Sequence, residues 1–124
     1  MGTRTPRPES ALPLPAATFH ILMALADEDR HGYAIIQEVA ARTNGDVRLG
    51  AGTLYRSIQR MVDQGYVAEL TMRERPAADE DDARRRYYRL TPFGRAVAEA
   101  ETRRLGGLLR LARASGFVAP RKVT

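Results

Sequence analysis

Apolar residues fall at helical spacing in four stretches of this chain and alternate with polar ones in two, an order that predicts helix, helix, helix, hairpin, helix. The clearest stretch runs from Gly50 to Val67. With successive side chains about 100° apart around a helix, Leu54, Ile58, Met61 and Val62 gather on one side, while Thr53, Arg56, Arg60 and Asp63 gather on the other. One side seeks a core, and the other presents two guanidiniums on successive turns.

Upstream, Pro15 suits the first turn of a helix, where its missing N–H would have no partner, and Phe19, Leu22, Leu25 and Ala26 form a stripe that the polar turn Asp27 to Arg30 ends. A second helix is predicted from about Gly32 to Thr43, with Ile35, Ile36, Val39 and Ala40 buried. Asn44-Gly45 at its exit tolerates positive φ. Val47-Arg48-Leu49 is too short for a helix and is expected to pair as a brief strand. After Gly65 the period changes: Ala68, Leu70 and Met72 face one way and Glu69, Thr71 and Arg73 the other. Arg86, Tyr88 and Leu90 alternate likewise with Arg85, Tyr87 and Arg89 beyond a polar connection over Pro76 to Ala83, so the two runs predict one hairpin with Tyr88 and Leu90 buried. Thr91-Pro92 is a helix start, an N-cap followed by proline at the first helical position. The last helix carries Phe93, Val97, Ala100, Leu105, Leu108, Leu109, Leu111 and Ala112 and should fray near Ser115-Gly116.

The predicted class is mainly α with a small β-hairpin: a winged helix-turn-helix domain plus one C-terminal helix. Four segments follow: a flexible Pro-rich tail over 1–14, the winged domain over 15–90, a dimerisation helix over 91–115 and a flexible basic tail over 116–124. The 124 residues suffice for one core, and the absence of cysteine excludes disulfides and thiolate metal sites. No apolar run approaches the ~18–20 residues of a membrane span, and the charged, Pro-rich start lacks a signal-peptide segment, so a cytoplasmic location without membrane contact is expected. The net charge of +5 says little, because Arg110, Arg113, Arg121 and Lys122 concentrate at the end and the run Asp79 to Asp82 offsets the cations near Arg84.

Chemistry for catalysis is missing from the pattern. His20 and His31 have no nucleophile or metal-spaced partner, the carboxylate clusters sit in predicted turns, and no enzyme, metal or cofactor is expected. In a winged helix the third helix enters the major groove and the hairpin straddles the backbone. Arg56, Gln59 and Arg60 are then the candidates for base edges, since guanidinium matches guanine and an amide matches adenine. Thr53 and Tyr55 are candidates for the phosphates, Tyr33 for a further DNA contact or, with Phe19, for an effector pocket or the core, and Arg84 and Arg85 for the backbone or minor groove at the wing. Tyr55 also borders the apolar arc, so packing is an equal alternative for it. The acidic run Asp79 to Asp82 should point away from DNA or pair with its neighbouring arginines. A winged-helix module that binds protein instead of DNA is the rival reading.

Leu105, Leu108, Leu109, Leu111 and Ala112 spread more apolar surface than so small a domain can cover, which calls for a second copy of the chain. Two recognition helices would then meet a palindromic duplex site about one turn apart. Gly106-Gly107 either mark a bend in this helix or, as favoured, permit a close helix approach.

Three segments resemble the PadR-like transcriptional regulators: His31-Gly32-Tyr33, Leu49 with Gly52-Thr53-Leu54-Tyr55, and Arg86-Tyr87-Tyr88-Arg89-Leu90-Thr91-Pro92-Phe93-Gly94-Arg95. The resemblance spans about Leu14 to Ala114. It implies a homodimeric repressor of the short subfamily, whose single C-terminal helix packs on its partner and which responds to a small aromatic or toxic effector. Two positions depart from the family pattern. Gly50-Ala51 replaces a Ser-Pro helix start, a change worth a few tenths of a kcal/mol, and the chain has no Trp with which to stack a flat ligand.

Overall fold

The apolar stripes become four helices and a three-stranded sheet in the computed structural model, which describes residues 6–76 and 85–117. In chain order these are α1 (Ala16–Ala24), β1 (Arg30–His31), α2 (Gly32–Arg42), α3 (Ala51–Asp63), β2 (Val67–Glu69), β3 (Tyr87–Leu90) and α4 (Pro92–Ala114). Ile21, Leu22, Ile35, Val39, Leu54, Met61, Val67 and Val97 are fully buried, so each helix and the sheet contribute to one core. Burial of this kind contributes roughly 1.5–3 kcal/mol per large aliphatic side chain.

Each helix stops where its backbone can be satisfied. At the end of α2, Asn44 and Gly45 take φ of 55° and 84°, and the Gly45 amide returns to the Ala40 carbonyl at 2.8 Å. At the end of α3, Gly65 at φ 82° lets the Tyr66 amide reach the Met61 carbonyl at 2.9 Å. The C-terminal carbonyls of α1 take arginine donors from elsewhere: Arg30 Nε donates to Ala24 at 2.7 Å and Arg95 Nη2 to Ala26 at 2.7 Å. At the start of α4 the Thr91 hydroxyl accepts from the Gly94 amide at 2.9 Å. Gly94 is buried so tightly against β2 that a Cβ there would lie 2.0 Å from the Tyr66 carbonyl oxygen.

The sheet differs from the expected hairpin in three ways. Its order is β1-β3-β2, all antiparallel, with Arg30 opposite Tyr88, His31 opposite Tyr87 and Val67 opposite Leu90. The third strand is therefore Arg30–His31, not Val47-Arg48-Leu49. The Val47 amide is held by the Thr43 hydroxyl at 3.0 Å, which turns Val47 and Leu49 onto the core as partly buried residues. Along β2 and the residue after it, Val67 and Leu70 are buried, rather than Ala68, Leu70 and Met72. Strand pairing ends at Glu69, and Thr71 to Glu74 close a turn, the Thr71 amide donating to Glu74 Oε1 at 2.8 Å. In β3 both Tyr87 and Tyr88 are buried and Leu90 only partly so, because a central strand has neighbours on both edges and His31 stands edge-on to the Tyr87 ring at 5.3 Å.

Residues 6–14 also depart from expectation. Residues expected to form a mobile tail to Leu14 instead make a single 3-10 turn over Pro8–Ala11, which packs on α4, and Leu14 joins the core. A buried carboxylate anchors them. Glu101, 2% exposed, accepts from the Leu14 amide at 3.1 Å and from Arg104 Nη2 at 2.9 Å. Those bonds satisfy a charge that would otherwise be costly to bury.

Candidate nucleic-acid interface

Around α3 the buried stripe of Leu54, Ile58 and Met61 sets the outward direction. At about 100° per residue, Gly52, Arg56 and Asp63 lie opposite that stripe, with Gln59 and Arg60 about 50° to either side. Thr53, Tyr55, Arg56, Gln59 and Arg60 are all exposed, as is Tyr33 in the first turn of α2. The helix thus brings most of the predicted contacts to one surface. On that surface the Gln59 amide donates to Asp63 at 3.3 Å, so that donor is engaged within the helix.

Tyr55 is both packed and exposed. Its surface is 49% exposed, yet its ring lies across Gly32, where a Cβ would meet the hydroxyl at 2.5 Å. Gly32 is thereby a site-building residue that helical periodicity does not reveal; its one signal is a glycine opening a helix where a better helix former would be expected. His31 is structural: Nδ1 accepts from the Ala34 amide at 3.2 Å and caps α2, while Nε2 lies 3.4 Å from Arg85 Nη1. Arg85 is exposed and so kept beside the sheet. Arg84 and the acidic run Asp79 to Asp82 lie outside the described residues.

Ion pairing divides the arginines into two groups. Arg89 donates to both oxygens of Asp29 at 3.1 and 2.9 Å and pairs with Glu74 at 3.3 Å, fixing β3 to the α1–β1 turn. The Asp29 bond raises the Arg89 pKa. The Glu74 carboxyl is lowered, chiefly by the Thr71 amide. Arg30 reaches Asp27, Glu28 and Glu38, and Arg42 reaches Glu38 and Asp27. Arg48, Arg56 and Arg60 have no carboxylate partner among the described residues. The same holds for Arg73, Arg86, Arg95, Arg103, Arg110 and Arg113, so what sets Arg48, Arg56 and Arg60 apart is their place together on the exposed side and at the entrance of one helix. Sequence reasoning missed Arg48, which stands at the entrance to α3 with its guanidinium 3.1 Å from the place a Cβ would occupy on Gly45.

The far half of α4 leaves the core. Leu105, Leu108, Leu109 and Leu111 are exposed, Leu111 to 65%, and Phe117 beyond them is 83% exposed; Ala112 is partly buried. The helix runs uninterrupted through Gly106 and Gly107. They also sit off the leucine arc, Gly106 nearly opposite Leu108 at 100° per residue. Only the Arg110 guanidinium approaches a Cβ there, at 3.9 and 3.6 Å.

No helix among the described residues is long and apolar enough to cross a membrane. The family model described as "Transcriptional regulator PadR-like family" matches residues 21–100. A Mycobacterium tuberculosis protein named transcriptional regulator Rv3488 is 35% identical over 95 residues, covering 77% of this chain and 80% of that one. An uncharacterized Lysinibacillus sphaericus protein is 34% identical over 80 residues, 61% of this chain and 65% of that protein, just under two thirds of its length. A solved PadR family transcription regulator from Clostridium difficile R20291 has the same fold, with a TM-score of 0.66 at 21% identity over 81% of this chain and 97% of that one.

Proposed function

The chain belongs to the PadR-like family, DNA-binding transcriptional regulators with a winged-helix fold, and from that premise we propose that it is a homodimeric repressor of a palindromic operator. The third helix of each protomer enters a major groove, with the sheet end of the domain against the backbone. The proposed site is Tyr33, Thr53, Tyr55, Arg56, Gln59, Arg60, Arg84 and Arg85, with Leu105, Leu108, Leu109, Leu111 and Ala112 at the contact between copies.

The observation that carries this reading is the pairing of two surfaces on one chain: arginines without carboxylate partners along α3, and leucines without a cover along α4. The first suits a polyanion and the second suits another copy of itself. We assign residues 15–90 to DNA binding and 91–115 to dimerisation, and we place the effector between the two apposed α4 faces, where an apolar compound would shift the spacing of the recognition helices.

The test separates the two surfaces. Changing Arg56 and Arg60 together to alanine should abolish retardation of a promoter fragment while sedimentation still reports a dimer. Leu108→Asp should give a monomer whose fold, read by circular dichroism, is retained and whose operator affinity collapses. Wild-type affinity should fall by ~10³ or more between 50 and 200 mM salt if about six phosphates are neutralised. A salt-insensitive complex would refute the DNA assignment, and a wild-type monomer would refute the dimer.

A further inference from the structure

We infer that Arg60 grips the DNA backbone rather than a base edge, with Ser57 and Thr18 beside it as hydroxyl donors, and that base reading falls to Arg56 and Gln59. The inference rests on α3 being the groove-facing helix and assigns separate roles to residues that the pattern of apolar and polar positions treats alike.

Arg60 lies on the flank of α3 that borders a cleft. Ser57, Arg60 and Gln64 follow one another at i, i+3 and i+7 along the shoulder where α1 packs, whereas Arg56 stands opposite the core stripe and Gln59 lies about as far from that line as Arg60 but on the other flank, away from α1. The shoulder forms one wall of a cleft of about 150 Å³, which Thr18 closes from α1 and whose other walls include the buried Leu14 and Tyr66. That volume admits the anionic head of a phosphodiester. It falls short of the ~300 Å³ at which drug-sized ligand pockets begin.

The donors there are unspent. Thr18 and Ser57 are half-buried, and among the described residues neither hydroxyl has a hydrogen-bond partner, while Arg60 has no carboxylate partner. All three groups can donate, as a phosphate oxygen requires, and a charged donor makes such a bond shorter and stronger. A base edge needs a planar match on the groove floor, which the shoulder faces only obliquely. Arginine and hydroxyl side chains are also the usual backbone contacts, which set register without reading sequence.

The experiment uses the full chain, an operator duplex recovered by mapping genomic binding sites, and a scrambled duplex of equal length, with affinities read by fluorescence anisotropy across a salt series. A wild-type protein that shows no salt-dependent preference for the operator would refute the DNA reading itself, before any variant is considered. Given that preference, Arg60→Ala should weaken both duplexes by the same factor, about tenfold, and lower the salt slope by about one. The operator-to-scramble ratio should stay constant. Arg60→Lys should restore most of the loss, because an ammonium serves a phosphate as a point charge but cannot make a bidentate guanine contact. Arg56→Ala should cut the ratio by about tenfold, and Ser57→Ala should give a smaller uniform loss. A drop in the ratio for Arg60→Ala, or an unchanged salt slope, would overturn the assignment.

Discussion

Two alanine substitutions in one helix should move stability in opposite directions, because α4 is pressed against the body at one glycine and stands in the open at another. At Gly94 an added Cβ would lie 2.0 Å from the Tyr66 carbonyl oxygen, 2.8 Å from the Tyr66 carbonyl carbon and 2.9 Å from Leu90 Cδ1, where real contacts stay above 3.0 Å. Two of those atoms are backbone and cannot rotate away. The helix would have to retreat by about 1 Å, loosening the Thr91 cap at 2.9 Å and the fully buried Val97. Overpacking costs about 1–3 kcal/mol and a weakened cap about 1 kcal/mol. The gain from replacing glycine in a helix is about 1 kcal/mol. Gly94→Ala is therefore destabilising by about 1–3 kcal/mol net, a melting temperature lower by several degrees to over ten. At Gly106 the same Cβ meets only the Arg110 guanidinium at 3.9 Å, so the propensity gain stands alone and Gly106→Ala should be more stable by about 1 kcal/mol. Urea and thermal unfolding at one fixed protein concentration would measure both, since an associating protein melts at a concentration-dependent temperature. Gly94→Ala melting at or above wild type would refute the close seating of α4. Gly106→Ala that weakens self-association would show that the glycines, not the leucine arc alone, meet the second copy.

Two further outcomes follow from the same geometry. Arg104, bonded to the Glu101 carboxylate, holds that group below the ordinary carboxylate range, the Leu14 amide adding to the effect and burial opposing it. A depressed folded pKa stabilises fully above the unfolded value of about 4.3 and loses that stabilisation as pH falls through the folded value; urea midpoints between pH 6 and 3 should fall more for wild type than for Glu101→Gln, and parallel slopes would contradict this. Gly32→Ala places a Cβ 2.5 Å from the Tyr55 hydroxyl, at the end of a side chain that can swing; stability should change by less than ~1 kcal/mol, while operator affinity falls several-fold, and an unchanged affinity would show that the ring's position does not matter to DNA.

The helices were legible because each buries one stripe, and a stripe at 3.6 spacing shows in the order of residues alone. Thr91-Pro92 and Gly65 marked their ends by local chemistry that needs no distant partner. What stayed hidden depends on residues far apart. The two-residue strand Arg30–His31 has no pattern of its own and exists because Tyr87 and Tyr88 offer it an edge. The segment up to Leu14 is Pro-rich and polar, as a mobile tail would be, yet its described part, residues 6–14, ends at a backbone amide held by a carboxylate 87 positions away. The same limit governs the site. A net charge of +5 does not say which cations face outward; that follows only after removing Arg89, whose Asp29 partner lies 60 positions back, and Arg30, Arg42 and Arg104, each held by carboxylates. Of the arginines left without a carboxylate partner among the described residues, Arg48, Arg56 and Arg60 stand together around the entrance and along the exposed side of α3, while Arg73, Arg86, Arg95, Arg103, Arg110 and Arg113 lie elsewhere. The electrostatic case for DNA is thus a property of which charges the fold leaves unpaired, and neutralising a paired arginine such as Arg89 should loosen the sheet with little direct effect on the phosphate count.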